Sequence, residues 1–339
     1  MIIALDAMGG DHAPSITVEG AVKAVNRSEA LSVILVGHKK EIKNELASRK
    51  YPHSQISIKE ASEVVEMDES PITALRHKKD SSIRVALDLV KEGRADAAVS
   101  AGNSGVVFAT ALYVLGKLKG VERPAIATVM PTTSGRFVLI DVGANVDCRP
   151  AHLLQFAIMG ESYARYILNI KEPRLALLSI GEEDAKGNEL TKETFGLLKG
   201  LHKNFIGNIE GKDIFHGKAD VVVCDGFVGN ITLKVSEGLA EATTMMLKEE
   251  IARRTSGKIG YLLLKNAFKS FRKKVDYSEY GGAPLLGINK PCFISHGRST
   301  SRAIKNAIEL AGEFHEKRVL DHLAEELSVK ILWRKEVAD

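Results

Sequence analysis

The chain alternates short apolar runs with longer amphipathic stretches over most of its 339 residues. Most of the runs are apolar at every position, which is typical of strands that helices cover on both faces. Such runs alternating with helical patterns predict ten strands in a mainly parallel α/β sheet. The ten runs begin at Ile2, Leu31, Ile56, Ala95, Ala125, Phe137, Arg174, Phe205, Ala219 and Cys292.

Two of the intervening stretches carry clear helix signals. Residues 80–93 open with Asp80 and two serines as candidate caps and close with Gly93. A longer helix predicted from Ser236 has acidic residues early and basic residues late, which suits the helix dipole. No linker is visible, so we expect residues 1–330 to form a single α/β domain, with residues 236–280 as a helical hairpin excursion from it.

Composition narrows the class of protein. Hydrophobic residues make up 45% of the chain and charged residues 27%, as in an ordinary globular protein. The net charge of +4 is too small to indicate a nucleic-acid partner by itself, and no motif that reads DNA or RNA is present. The three cysteines are far apart, so they offer no zinc-ligand spacing and fit a reducing, cytoplasmic environment.

Two segments bear on targeting. The N-terminus has no basic region and only a short apolar run, so it does not read as a signal peptide. Residues 97–116 carry no charge, but glycines and polar residues interrupt them, which predicts a strand, a turn and a helix rather than a membrane span.

The candidate chemistry follows the strands. In parallel α/β sheets, ligands bind beyond the carboxyl ends of the strands. Asn103, Ser104 and Gly105 follow the fourth run and precede an apolar helix, so their backbone N–H groups can form an anion-binding nest. An ordinary tight turn would use the same residue types.

Asp225 and Asn230 lie in a similar turn after the ninth run. Asp225 is a candidate to orient a ligand or accept a proton; the alternative is a local Asx turn. Lys186 follows three acidic residues after the seventh run and is a candidate to bind phosphate or protonate a leaving thiolate. A solvated lysine paired with Glu183 or Asp184 is the alternative.

His296 and Arg298 follow the last run. An arginine here can hold phosphate through a forked contact, whereas the histidine is equally consistent with a structural hydrogen bond. The dinucleotide, P-loop, serine-hydrolase and zinc-protease motifs are missing from the sequence. Anion-binding turns without a strong nucleophile indicate that a bound anion attacks the substrate.

Seven blocks spanning nearly the whole chain resemble the bacterial phosphate acyltransferase family of the PlsX type. They are LDAMGGDHAP (5–14), SAGNSG (100–105), DVGANVDCRP (141–150), GEEDAKGNELTKE (181–193), NFIGNIEGKD (204–213), DGFVGNITLK (225–234) and YGGAPLLGI (280–288). Any one block is weak evidence, but all seven in the family's order are specific. The last ten or so residues fall outside the blocks.

The resemblance implies an α/β/α sandwich like that of phosphotransacetylases and isocitrate or isopropylmalate dehydrogenases. It implies that acyl-carrier protein and inorganic phosphate react to give acyl phosphate, which a membrane glycerol-phosphate acyltransferase uses in phospholipid synthesis. It also implies a homodimer with no metal or organic cofactor.

Chemical roles can be placed on the matching motifs. We expect Asn103, Ser104, Gly105 and Asn230 to bind phosphate or the oxyanion. Lys186 is expected to neutralise charge or assist the leaving thiolate, and Asp225 to orient the lysine or an amide donor. His296 and Arg298 are expected to contact phosphate or the pantetheine arm.

Residues 251–275 contain eight basic residues and no acidic one. On a helix, Leu262 and Leu263 fall off the apolar stripe, while Lys265, Lys269 and Lys273 flank it. Such a helix fits an anionic membrane, at the inner face of the cell membrane, or an acidic carrier protein. The alternative is a hairpin packed in the dimer.

Two other functions compete with this hypothesis. A phosphate acetyl- or butyryltransferase acting on coenzyme A thioesters would share the turns and the fold. A non-catalytic scaffold at the membrane surface would have no use for six polar turns at strand ends.

Overall fold

The computed structural model describes residues 1–275 and 281–338; the side chains of 258–259, 270, 272–275 and 329–338 are not among the described parts. Within the described ranges, eleven strands form one sheet. They are β1 (Ile2–Asp6), β2 (Ser32–Gly37), β3 (Ile56–Glu60), β4 (Ala97–Ser100), β5 (Ala125–Pro131), β6 (Arg136–Ile140), β7 (Leu175–Ser179), β8 (Phe205–Glu210), β9 (Val221–Val223), β10 (Ala283–Leu286) and β11 (Cys292–Ile294).

Helices connect the strands. They are α1 (Ser15–Val25), α2 (Lys39–Ala47), α3 (Pro71–His77), α4 (Ser82–Lys91), α5 (Ser104–Leu115), α6 (Pro150–Tyr166), α7 (Glu189–Leu201), α8 (Gly226–Arg253), α9 (Thr255–Val275), α10 (Ser301–Glu316) and α11 (Val319–Ala338).

The sheet is mainly parallel, as the sequence predicts, and each of the ten predicted runs overlaps one strand. The order is β3-β2-β1-β4-β11-β10-β5-β6-β9-β7-β8. The sequence missed β10, which pairs antiparallel with both β11 and β5, and β5 is also antiparallel to β6. The two halves of the sheet therefore run in opposite directions.

Both faces of the sheet are covered by helices, because the strands are apolar at successive positions. In β1, Ile3 and Leu5 join the core beneath α1, α6 and α10, whereas Ala4 joins the core beneath α4 and α5. All three side chains are fully buried. The result is the α/β/α sandwich that the resemblance implies.

The segment of residues 97–116 is a strand, a turn and a helix, as predicted. Helix α4 begins after Ser81 and ends just before Gly93, whose φ of +71° suits glycine. Across the described residues, no helix is both long and apolar enough to cross a bilayer.

The long helix begins ten residues earlier than predicted, at Gly226 instead of Ser236. From the sequence, Gly226 and Gly229 are expected to belong to a turn. In the structure, Asp225 caps the helix and Gly226 and Gly229 pack tightly against the loop after β6. Helix α8 contacts α9, to which Arg254 alone connects it.

Candidate active site

The strand-end turns form two groups, because the two halves of the sheet run in opposite directions. One group follows β1, β4 and β11, and the other follows β6, β7 and β9. The hydrogen bonds described below join turns within each group. This differs from the single row of turns expected from a parallel sheet.

The first group is built around a buried carboxylate. Asp6, at the end of β1, is 2% exposed and accepts a hydrogen bond from the Ser100 hydroxyl at 2.7 Å. The Ser100 oxygen accepts the backbone N–H of Gly102 at 3.0 Å. A Cβ on Gly9 would lie 2.6 Å from the Asp6 carboxylate and 2.7 Å from the Gly102 nitrogen, so glycine allows the two turns to meet.

Asn103 caps α5 and ties the turn to the chain before α3. Its side-chain oxygen accepts the Val106 N–H at 3.2 Å, and its amide nitrogen donates to the carbonyl of Met67 at 2.8 Å. The side chain of Asn103 is therefore occupied by structural bonds. Ser104 and Gly105 are the first two residues of α5. The backbone N–H groups at this end of a helix lack partners within the helix and lie at the positive end of its dipole.

His296 and Arg298 lie beside the same group. The backbone of Gly297 accepts the N–H of Asp11 at 2.9 Å, which brings this turn against the one after β1. The Arg298 N–H donates to Nδ1 of His296 at 3.1 Å, and the arginine side chain is 80% exposed, 3.9 Å from Asp11. Arg298 is thus mostly solvated, and His296 supports its own turn.

The second group has its own buried carboxylate, Asp141, directly after β6. It accepts the N–H groups of Ile126 at 3.1 Å, Ala144 at 3.0 Å and Asn145 at 2.7 Å. The Asn145 side chain adds a bond at 2.9 Å. These bonds fix the loop that follows β6 against the start of α8, where a Cβ on Gly229 would clash with the Asp141 carbonyl.

Asp225 and Asn230 stand at the start of α8. Asp225 accepts the Val228 N–H at 2.9 Å, so the capping alternative describes its side chain. Asn230 is half-buried and faces Gly143, where a Cβ would lie 3.5 Å from the Asn230 side-chain carbon. Within the described part of the chain, the Asn230 amide has no hydrogen-bond partner, so it is available to a ligand.

Lys186 is exposed in the loop after β7, and its stem packs over Gly181, where a Cβ would lie only 2.8 Å away. Two acidic residues of that loop already have partners: Lys218 binds Glu182 and Lys199 binds Asp184, both at 2.8 Å. Lys186 forms no ion pair with any described residue. The pairing alternative therefore does not account for it.

Sequence reasoning missed the residues that hold these turns in place. Asp6 and Asp141 were quoted only as parts of motifs, and Ser100 as part of a turn. Asn208, on β8, donates to the Glu183 carbonyl at 2.9 Å and so fixes the turn that carries Lys186. A polar residue at the last position of an otherwise apolar strand is the signal that marks Asp6 and Ser100.

A thiol nucleophile does not fit the site. Burial, with added repulsion from Asp141 and Asp225, raises the pKa of the Cys148 thiol to about 12. Such a thiol stays protonated at neutral pH and is a poor nucleophile. Among the residues that the structure describes, no three metal-ligating side chains cluster.

The basic segment forms α9. Leu262 and Leu263 are 70% and 82% exposed, and Lys265 and Lys269 are also exposed. The side chain of Lys273 lies outside the described residues, as does Tyr280.

Comparison with known proteins gives close relatives. Residues 1–322 match the model of a family described as "Fatty acid synthesis protein". A phosphate acyltransferase of Thermodesulfovibrio yellowstonii is 58% identical over 326 residues, which cover 96% of this chain and 94% of the relative. One of Geobacter sulfurreducens is 55% identical over 330 residues, covering 97% and 95%.

Solved structures show a related fold at low identity. A phosphotransacetylase from Streptococcus pyogenes aligns with a TM-score of 0.59 at 21% identity, covering 95% of this chain and 94% of that one. A branched-chain phosphotransacylase from Enterococcus faecalis aligns with a TM-score of 0.56 at 16% identity, covering 93% and 99%.

Proposed function

Because the chain belongs to the phosphate acyltransferase family, we propose that it transfers a fatty acyl group from acyl-carrier protein to inorganic phosphate. It is an acyltransferase, and the acyl phosphate serves phospholipid synthesis. The observation that carries the proposal is identity of 58% over nearly the full length of a named phosphate acyltransferase. The proposed next step is use of the product by a membrane glycerol-phosphate acyltransferase.

The reaction needs an anion site, an oxyanion donor and a cation for the leaving group. A phosphate oxygen attacks the thioester carbon, the carbonyl oxygen becomes an oxyanion, and the carbon–sulfur bond then breaks. The expelled thiolate takes up the proton that hydrogen phosphate loses on acylation. We assign phosphate to the N–H groups of Ser104 and Gly105, the oxyanion to the Asn230 amide, and stabilisation of the thiolate to Lys186.

The twist of the sheet supports a shared site. Five strand-to-strand steps separate β4 from β9. At about 20° for each step, they rotate the strand direction by about 100°. At that typical twist, the antiparallel halves would differ by about 80° instead of 180°, and the ends of β4 and β9 would turn toward the same side.

The residues with occupied side chains take supporting roles in this proposal. Asn103 and Asp225 cap the helices whose first turns meet the substrates. Arg298, which is mostly solvated, is a contact for the phosphate of the pantetheine arm or for inorganic phosphate on entry. His296 holds the backbone of Arg298.

A transferase that uses coenzyme A thioesters is the second candidate, because phosphotransacetylases share the fold. The exposed basic residues of α9 favour the carrier donor, since they complement an acidic carrier protein. A non-catalytic scaffold would not explain why Lys186, which forms no ion pair with a described residue, lies in a turn that Asn208 fixes.

The choice of donor tests the function. Purified protein is incubated with labelled phosphate and either palmitoyl-carrier protein or palmitoyl coenzyme A, and labelled acyl phosphate and free thiol are measured. We expect product from the carrier donor at least tenfold faster than from coenzyme A. Product from coenzyme A alone would favour the second candidate, and no product from either would contradict both enzymes.

We also propose that the protein is a homodimer that pairs through α8. Phe227, Ile231, Val235 and Leu239 recur every four residues and are 47–66% exposed. Together they form an apolar stripe along one face, here called the α8 stripe, which is more apolar surface than a lone helix usually leaves in water. In a two-fold dimer, the α8 stripe of one subunit would pack against the α8 stripe of the other and remove both from water.

The middle of α9 supports association with the inner face of the membrane. Leu262 and Leu263 are 70% and 82% exposed, and Lys265 and Lys269 lie within two turns of them. Apolar side chains that insert among lipid tails and lysines that meet anionic headgroups make a typical peripheral contact. The product would then form beside the membrane that uses it.

A further inference from the structure

The buried carboxylate of Asp6 has no role in the reaction proposed above. Its neighbours are donors without charge: the Ser100 hydroxyl, Ser82 at the start of α4, and the N–H groups of Met8 and Gly9. No ion pair with a described cation compensates for its burial. A carboxylate held in this way costs free energy, so it is retained for what it positions.

The bonds of Asp6 lead directly to the phosphate turn. The carboxylate accepts a hydrogen bond from the Ser100 hydroxyl at 2.7 Å, which turns the lone pairs of that hydroxyl oxygen toward Gly102. The Gly102 N–H then donates to Ser100 at 3.0 Å. This bond uses the Gly102 N–H and fixes the conformation of the turn. The N–H groups of Ser104 and Gly105 stay free to bind an anion.

A small cavity lies along the same chain of contacts. Its lining includes Asp6, Ser100, Gly102 and Asn103. The carboxylate and the turn therefore border the same space.

We propose that Asp6 is a positioning residue for phosphate, acting through Ser100 on the backbone of Gly102. The inference rests on the proposed function, since it takes the turn of Ser104 and Gly105 as the phosphate site. Loss of either link lets the turn relax, and phosphate then binds to N–H groups that no longer converge.

The test compares Asp6→Asn, Ser100→Ala and the double variant. An asparagine at position 6 cannot accept from both Ser100 and the Met8 N–H, which now bond to different carboxylate oxygens. We expect each single variant to raise the KM for phosphate about tenfold, with the KM for the acyl donor unchanged. Because the two residues act in series, the double variant should raise it no further than either single one.

Ser82→Ala is the matched control. It removes a hydroxyl beside the same carboxylate but leaves the link from Ser100 to Gly102 intact. We expect a lower melting temperature for this variant and an unchanged KM for phosphate. If Asp6→Asn does not fold, Ser100→Ala alone still tests the link from Ser100 to the Gly102 N–H.

Two results would overturn the inference. One is a KM for phosphate that stays at the wild-type value in Asp6→Asn and Ser100→Ala while the melting temperature falls. The other is additive effects in the double variant. Failure of the wild-type protein to form acyl phosphate would instead contradict the proposed function, so the two failures are distinguishable.

Discussion

At the scale of single residues, Lys186 differs from its neighbours in having no carboxylate partner among the described residues. Lys199 and Lys218 form ion pairs with two acidic residues of the same loop, Asp184 and Glu182 respectively. A lysine left unpaired on a fixed turn keeps its charge for a ligand, and its compact ammonium suits phosphate or a thiolate.

Replacing Lys186 with methionine keeps the length of the side chain and removes its charge. We expect kcat to fall about a hundredfold, because general acid or electrostatic assistance to the leaving group is lost. The measurement is thiol release from the acyl donor at saturating phosphate.

Lys199→Met is the matched control, since it removes a paired lysine near the same loop. Its activity should stay within about twofold of wild type, as expected for an exposed ion pair. Equal losses in both variants would argue against a specific role for Lys186.

The candidate site could be predicted only in part. Strand-end positions identified the turns of Asn103, Lys186 and Asn230, because the residue types at the end of an apolar run are visible in the sequence. The hydrogen bonds that occupy Asn103 and Asp225 were not visible. Asp6 and Asp141 were missed as positioning groups because their partners, Ser100 and Ile126, are distant in sequence.

At the scale of elements, α9 combines a basic face with leucines that point into solvent. Leu262 and Leu263 fall off the apolar stripe by helical periodicity, and their exposure agrees with that pattern. The beginning of α8 was predicted less well, since Gly226 and Gly229 are poor helix formers that the close contact with Asp141 selects.

Changing Lys265 and Lys269 to glutamine tests the membrane role of α9. We expect binding to vesicles that contain anionic lipid to weaken about thirtyfold, since each of the two cations near the surface contributes about 1 kcal/mol. Cosedimentation with vesicles at physiological salt measures it, with neutral vesicles for comparison.

The same change of charge at Lys171 and Lys203, both exposed and outside α9, is the control. These variants should bind anionic vesicles like the wild type. Equal weakening in both pairs would indicate that net charge alone governs binding.

At the scale of the whole molecule, the sheet reverses direction at its centre. The sequence pattern predicted ten of the eleven strands, because burial on both faces leaves a strong local signal. It did not predict the reversal, since a strand's direction depends on its partners. The strand that was missed, β10, has four residues and contains Pro284, so it leaves little pattern.

The α8 stripe makes a prediction about assembly. Replacing Val235 and Leu239 with glutamate places charges on the stripe and should convert a dimer into a monomer. Light scattering coupled to size-exclusion chromatography measures the mass. Lys248→Glu, exposed on α8 and about 180° around the helix from Leu239, should remain dimeric.

Either of two results would contradict this assembly. A wild-type protein that is monomeric at micromolar concentration would show that the α8 stripe does not pair two subunits. A dimer that survives both glutamates would place the interface elsewhere on the molecule.

The length of α8 separates the electrostatics of the two ends of the hairpin. Its 28 residues extend about 42 Å from the turn of Asp225. Lys265 is ten residues into α9, so it lies about 25 Å from that turn, which is about three Debye lengths at physiological salt. Mobile ions therefore screen the charge of Lys265 from the turn of Asp225, so a change of charge at this position should alter what the middle of α9 binds and leave the electrostatics of that turn unchanged.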